Sequence, residues 1–208
     1  MQTQQLERKR RVPLAARLCA AALAVVLAGC AGTPPNPNPH AGDPLPLAQV
    51  DLPRYMGHWF IIANIPYFGE RAYVAGQSEW RLRPDGQIDD TYIGRKGGFD
   101  QPETRRSFVD SVVPDTGNAH WHVHLLGPLY ASQLTVYVDP EYRYTLVGYP
   151  GKGLGWIFAR SPDMSDAVYQ EMLGRLAAMG YDTTRFKRIA QTPQQLGRPG
   201  FQAPGEGN

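Results

Sequence analysis

From Gly57 onward, short runs of alternating or continuous apolar residues recur at even spacing, each closed by turn chemistry. Gly57–Asn64 is the first. Residues 74–83 end at Pro84, Asp85 and Gly86, residues 87–96 at Gly97 and Gly98, and residues 104–113 at a five-residue cluster from Pro114 to Asn118. Residues 119–126 stop at Gly127 and Pro128, residues 132–139 and 142–149 flank Asp139, Pro140 and Glu141, and residues 154–160 follow Gly151, Lys152 and Gly153. Eight strands bounded in this way predict an all-β sandwich or barrel. The period then changes. Val168, Met172, Leu176 and Met179 form a stripe at helical spacing, Ser161, Asp163 and Ser165 offer capping oxygens before it, and Gly180 suits the position after the helix. Residues 184–189 read as a short ninth strand.

In a closed barrel alternate residues point inward. If Trp59 does, so do Ile61 and Ala63. Gly76, Ser78, Trp80 and Leu82 share a parity, as do Trp121, Val123 and Leu125, and Trp156, Phe158 and Arg160. All four tryptophans can therefore face the interior, and the small residues Ala63, Gly76 and Ser78 leave room beside them. A solid aromatic core without a cavity fits the same spacing.

The two ends of the chain are of different composition. Arg8, Lys9, Arg10 and Arg11 precede an apolar run from Leu18 to Leu27, which ends Leu27, Ala28, Gly29, Cys30. Ten residues of helix span about 15 Å, half a bilayer core, so residues 1–29 read as a signal peptide rather than a membrane span. The last four residues resemble a lipobox, in which cleavage leaves Cys30 as an N-terminus carrying palmitate or similar acyl chains. Ala31 after it resembles an outer-membrane destination, with the protein facing the periplasm. Residues 30–49 hold six prolines after the cysteine and no apolar periodicity, which predicts a polyproline tether reaching about 60 Å. Residues 192–208, rich in Pro, Gly and Gln, read as a disordered tail. Residues 50–191 form the folded domain between them.

Charge changes the picture only by exclusion. The net charge is +2, and residues 1–29 carry five basic residues against Glu7, so the remainder is slightly acidic. That balance gives no electrostatic footprint for nucleic acid. Cys19 lies in the apolar run and leaves with it, so the folded domain has no disulfide.

Three ordered motifs carry a family resemblance: Gly57, His58 and Trp59 opening the first strand; Asp139 to Tyr142 between the sixth and seventh; and Trp156 to Arg160 ending in arginine. Gly127 to Tyr130 and Ser165 to Leu173 add to it. The chain resembles the lipocalins, most of all the bacterial outer-membrane lipocalins of the Blc type. The resemblance implies an all-β, eight-stranded antiparallel up-and-down barrel with one C-terminal helix and a short ninth strand. It makes Gly57, Trp59 and Arg160 structural, with the arginine lying across the indole at the closed end. It implies an interior that takes a fatty acid or lysophospholipid, and a role in membrane maintenance, without a cofactor.

Combined with parity, this assigns Ile61, Ala63, Trp80, Tyr92, Trp121 and Trp156 to the ligand cavity, and Tyr67 and Tyr130 to its mouth, where Arg71 also stands. Tyr67 and Phe68 form a lip. His120, His122 and His124 share the opposite face, and a metal ion there is the alternative to a solvated polar face. Asp90 alternates with Ile88 and Tyr92, and Asp110 with Phe108 and Val112, so both acids enter the barrel near Arg106 unless a one-residue bulge reverses the faces. No nucleophile elbow, phosphate loop or metalloprotease motif is present. The expected function is a membrane-anchored lipid-binding protein, not an enzyme. A lipid-modifying enzyme in the same barrel and an envelope interaction module with a filled barrel are the alternatives, and a homodimer is left open.

Overall fold

The computed structural model describes residues 35–204. The expected signal peptide, Cys30 and the last four residues lie outside the described residues. After a four-residue helix α1 (Leu52–Tyr55) come β1 (Gly57–Asn64), β2 (Tyr73–Leu82), β3 (Ile88–Lys96), β4 (Glu103–Val112), β5 (His120–Leu126), β6 (Leu129–Val138), β7 (Tyr144–Gly148) and β8 (Gly155–Ala159). Helix α2 (Asp166–Ala178) and β9 (Lys187–Arg188) follow. Each strand from β2 to β7 pairs antiparallel with the next, and β1 closes the ring by pairing with both β8 and β2. β9 adds to β1 at Ala63 and Asn64, beyond the stretch of β1 that β2 covers.

The connections β1–β2, β3–β4, β5–β6 and β7–β8 open at one end, the mouth. The other end carries α1, Trp59 and Arg160. Asp51 caps α1, accepting a hydrogen bond from the Arg54 N–H at 3.4 Å, with Pro53 in the first turn. Ser165 does the same for α2, accepting from the Val168 N–H at 3.3 Å.

Two cores result. The inner one fills the barrel floor with Tyr55, Trp59, Ile61, Trp80, Ile88, Trp121, Val147 and Phe158. The outer one lies between the wall and α2: Ile62, Ala63, Leu146, Ile157 and Ala159 from the strands meet Tyr169, Met172 and Leu176 from the helix.

Ala63 is in the outer core, contrary to its expected inward parity. The register of β1 against β8 slips between Ile61 and Ala63. One extra residue reverses every later side chain on the strand. Ile61 therefore faces in, Ile62 and Ala63 face the helix, and Asn64 returns to the interior side.

Both flanking segments also differ from expectation. From Asn36 onward the proline-rich segment is held to the barrel. Asn36 Nδ2–H donates to Gly180 O at 2.8 Å, and Asn38 Nδ2–H to Ala177 O and Tyr181 O at 2.8 and 3.0 Å, satisfying carbonyls at the end of α2. Lys152 Nζ donates to the carbonyls of His40, Ala41 and Asp43. Ala48 N–H then bonds Thr135 O on β6. Gly180 has φ +91°, and a Cβ there would overlap the His40 carbonyl, so the crossing needs glycine. At the other end, Gln191 Nε2–H reaches Ile61 O and Gly76 O, and Phe201 bridges to Arg188. Gln202 Nε2–H donates to Asn64 Oδ1 at 2.6 Å. Polar side chains rather than apolar periodicity hold both segments, which is why their composition read as loose.

Candidate functional site

The closed end is built around one arginine. Arg160 leaves β8 with its guanidinium carbon 3.8 Å from the centre of the Trp59 ring. Its N–H groups donate to the carbonyls of Arg54, Tyr55, Met56 and His58 at 2.8–3.2 Å, and Nε–H to Tyr142 O at 3.3 Å. Four of these acceptors lie on or beside α1, so the arginine fastens that helix across the barrel's end. The Trp59 indole N–H donates to Tyr55 O at 2.8 Å. Gly57, at φ +93°, brings the chain past the guanidinium.

Tyr55 plugs the floor. Its ring stacks on Trp80 at 5.1 Å and 16°, and meets Trp121 edge-on at 5.7 Å. Trp80 and Trp121 are themselves edge-to-face at 5.4 Å. The Tyr55 hydroxyl lies 3.0 Å from Thr145 Oγ1 and accepts from Thr135 Oγ1 at 3.2 Å. Burial pushes it up to about 12. Trp80 and Trp121 are thus sealed into an aromatic floor, not spread along cavity walls. Tyr55 was not legible as a site residue. The only signal was Asp51 and Pro53 ahead of the Gly57-x-Trp59 motif, a helix start four residues long.

Above the floor is a polar belt. Asp90 and Asp110 both face inward, as alternation implied; the pairings Ile88–Asp110 and Asp90–Phe108 place them diagonally across β3 and β4. Among the described residues neither acid is in an ion pair. Both oxygens of Asp110, Oδ1 of Asp90, Nε1 of Trp80, the Tyr92 hydroxyl, Nε of Arg106 and Nε2 of Gln133 are buried without a hydrogen-bond partner. Burial pushes the Asp90 carboxyl up to about 7, and burial together with the Asp90 charge pushes Asp110 up to about 8. The pair as a whole retains a proton at neutral pH. The Arg106 guanidinium lies over the ring of Tyr92 at 4.4 Å and of Tyr73 at 5.4 Å.

The upper interior is covered on one side and open on the other. On the β1–β3 side the β1–β2 connection folds over the barrel. Its buried Glu70 accepts from Asn64 Nδ2–H at 2.5 Å, the Trp156 indole N–H at 2.9 Å and the Tyr67 hydroxyl at 3.2 Å. Burial raises the Glu70 carboxyl despite these donors. Sequence reasoning missed Glu70 and Asn64; a lone acid amid Pro66, Tyr67, Phe68 and Gly69 was the available sign. On the β4–β6 side the barrel opens. Along β5 the inward positions go from Trp121, 0% exposed, through half-buried Val123 to Leu125, 54% exposed. Phe108 and Ala131, which face in beside them, are half-buried too. A notch of about 430 Å³ cuts the rim where β5 ends beside β4, lined by Phe108, Val109, Leu125 and Leu126 among others.

The expected site residues divide accordingly. Ile61, Trp80, Tyr92 and Trp121 share the inner cluster, and Trp156 packs at its upper edge. Tyr67 stands above, its ring edge-on to Trp156 at 6.2 Å. Tyr130 is not at the cavity mouth. It pairs with His124 across β5–β6 on the outer face and stacks on His122 at 3.8 Å. The other histidines of that face are also engaged, His120 Nε2 with Ser132 Oγ at 3.1 Å and His124 Nε2 with Ser111 Oγ at 3.0 Å. Among the described residues no group of three or more potential ligands is placed to hold a metal ion.

This geometry agrees with comparisons to known proteins. A profile of the lipocalin-like domain matches residues 50–191. The outer membrane lipoprotein Blc of Escherichia coli K12 is 31% identical over 185 residues, covering 88% of this chain and 98% of that protein. Its namesake in Vibrio cholerae is 26% identical over 171 residues, with 80% and 94% covered. Among solved structures, insecticyanin from the tobacco hornworm Manduca sexta superposes with a TM-score of 0.58 at 17% identity, covering 73% of this chain and 86% of that one. A barrel closed by an arginine over a tryptophan, with one helix packed on its wall and this much sequence shared, places the chain in the lipocalin family, in its bacterial Blc-type group.

Proposed function

We propose that the protein binds a single-chain amphipathic lipid, a fatty acid or lysophospholipid, in the upper half of the barrel, and does so in the bacterial outer membrane facing the periplasm, held by acylated Cys30. The observation that carries this is the exposure gradient along β5. Above a sealed aromatic floor the inward positions of β5 become steadily more accessible and remain apolar, with the polar belt of Asp90, Asp110 and Arg106 on the neighbouring strands. The acyl chain lies against Trp156, Phe108 and Val123, above Trp80 and Trp121, with Tyr67 as a partial lid. Apolar walls with a few fixed polar groups suit such a ligand. The anionic head group meets Arg106, whose Nε has no partner, with Arg71 exposed further out. The names of the Escherichia and Vibrio relatives support the location. Lipid exchange of this kind serves membrane maintenance.

The test is native extraction from envelopes followed by lipid mass spectrometry, then titration of the protein with lysophospholipid while following tryptophan emission. Saturable binding at micromolar or better affinity is expected, since part of the burial energy is lost in ordering the chain. Arg106→Gln weakens fatty acid but not a neutral monoacylglycerol. If no envelope lipid co-purifies or binds, the carrier reading fails.

Asp90 and Asp110 are the groups an enzyme would use in this barrel. With no nucleophile beside them and Asp110 fully buried, the pair retains a proton rather than attacks, so a carrier fits the site better than an enzyme. Turnover of lysophospholipid by the protein, lost in Asp90→Asn, overturns that preference.

A further inference from the structure

We propose that the mouth end of the barrel docks onto the phospholipid bilayer that holds the protein, with the β5–β6 tip and Phe68 among the head groups. The inference deepens the carrier reading and rests on its assignment of an acyl anchor to Cys30. Three independent features point the same way.

The first is the distribution of exposed apolar side chains. Among the described residues, the five that are more than half exposed are Phe68 (91%), Leu126 (78%), Leu129 (63%), Leu125 and Tyr130. Phe68 lies on the β1–β2 connection, and the others lie where β5 and β6 meet at their hairpin, with Tyr130 turned to its outer face; the two places are on opposite sides of the ring. An apolar rim around an opening is an interaction surface, and water-exposed leucines at a hairpin tip have no packing role.

The second is where the chain joins the barrel. Asn36 is fixed at Gly180, and residues 40–43 are held by Lys152 of the β7–β8 connection, which is also at the mouth end. Asn36 is six residues on from Cys30. Fully extended, that stretch spans about 20 Å. The 60 Å stalk expected from composition is thus mostly used up against the barrel wall. A lipid on Cys30 brings the mouth end to the membrane, while the closed end lies the length of the ten-residue β2 away, about 33 Å along the strand.

The third is the notch between β4 and β5. Phe108, Leu125 and Leu126 line it together with Val109 and the polar Asp89, Ser107 and His124 of the outer face, so it joins the exposed leucines to an inward-facing phenylalanine. Exposed Arg71 and Lys96 stand at the same end and suit anionic head groups, while the exposed acids Asp100 and Glu103 share the β3–β4 side of it. The rival occupant of the rim is the tip of a second copy of this chain.

The experiment uses the acylated full chain in vesicles of phosphatidylethanolamine and phosphatidylglycerol, with acylation of Cys30 checked by intact mass. Single variants Leu126→Cys and Phe68→Cys at the mouth, and Leu82→Cys near the closed end, carry an environment-sensitive dye. Lipids with a spin label near the head group quench it. Quenching at 126 and 68 severalfold stronger than at 82 is the expected result. Equal quenching at all three, stronger quenching at 82, or unquenched mouth labels in a protein that cross-links through 126 overturns the proposal. Lysophospholipid titration of the same samples separates the two readings. Quenched mouth labels without lipid binding remove the carrier and leave the docking, and binding with unquenched labels does the reverse.

Discussion

The closed end and the mouth of this barrel are made from the same strands, yet they solve opposite problems. At the closed end the polar groups of Arg160, Trp59 and Tyr55 all have partners. Arg160 finds five carbonyls, Trp59 donates to Tyr55, and Tyr55 sits between two threonines. Halfway up, polar atoms stand buried and alone, and at the rim large apolar side chains stand in water. Unpaired buried groups and exposed leucines both cost stability. Keeping them at one end of the molecule separates the part that holds the fold from the part that meets other molecules.

The largest expected break in that contrast is a pH effect on stability. Asp90 and Asp110 have carboxyls raised above the ordinary value of about 3.9, so the folded state binds more protons than the unfolded chain between pH 4 and pH 8. Stability is full below about pH 4 as far as this pair is concerned, falls as pH rises through 7 and 8, and levels off above. The loss for the coupled pair is at most about 10 kcal/mol. Urea unfolding at a series of pH values measures it. Asp110→Asn keeps the volume, removes the titration and flattens the slope; an unchanged slope means the acids are not the cause.

Next is Arg160→Ala. It orphans the carbonyls around α1 and removes the contact over Trp59, and should destabilise by about 3 kcal/mol. Lipid affinity of the remaining folded protein should stay within twofold. A large affinity loss with an unchanged midpoint in denaturant would move the arginine from scaffold to site.

Trp156→Ala tests the open side. It removes apolar surface at the upper cavity and one of the donors to Glu70. Lipid binding should weaken by about 1–3 kcal/mol, more than global stability does. Calorimetric titration beside thermal unfolding gives both numbers. The smallest effect is expected for Tyr130→Ala, which unstacks His122 on the outer face and should change stability and lipid affinity by no more than about 0.5 kcal/mol. A tenfold loss of affinity there would return Tyr130 to the cavity.

Much of this was legible in the chain. The eight strands fall within a few residues of the expected runs, because the turns are marked by proline, glycine and aspartate and the alternation is steady. β6 is the exception. It starts at Leu129, three residues earlier than its pattern suggested, since Gly127 and Pro128 alone make the turn and Leu126 already pairs with Leu129. Trp59 and Arg160 were legible as a pair because the motifs around them are local. Glu70, Asn64 and Tyr55 were not, because each acquires its role from a neighbour far away in sequence.

Alternation is a property of one strand, and from it the sequence alone determined the strand count and a parity that lets the tryptophans face inward; the up-and-down order came with the family resemblance, and the facing of the two acids stayed open to a one-residue bulge. Alternation could not determine what happens where a strand slips against its neighbour. The bulge after Ile61 sends Ala63 outward, and only pairing with β8 sets it. Nor could it show that the proline-rich segment and the C-terminal tail lie along the barrel, since asparagine, lysine and glutamine hold them to carbonyls that exist only once α2 and the sheet have formed. Whether the acids would find partners was likewise decided by closure of the barrel. Six other strands bring their side chains to the same small interior, and among the described residues none brings a hydrogen-bond partner to Asp110.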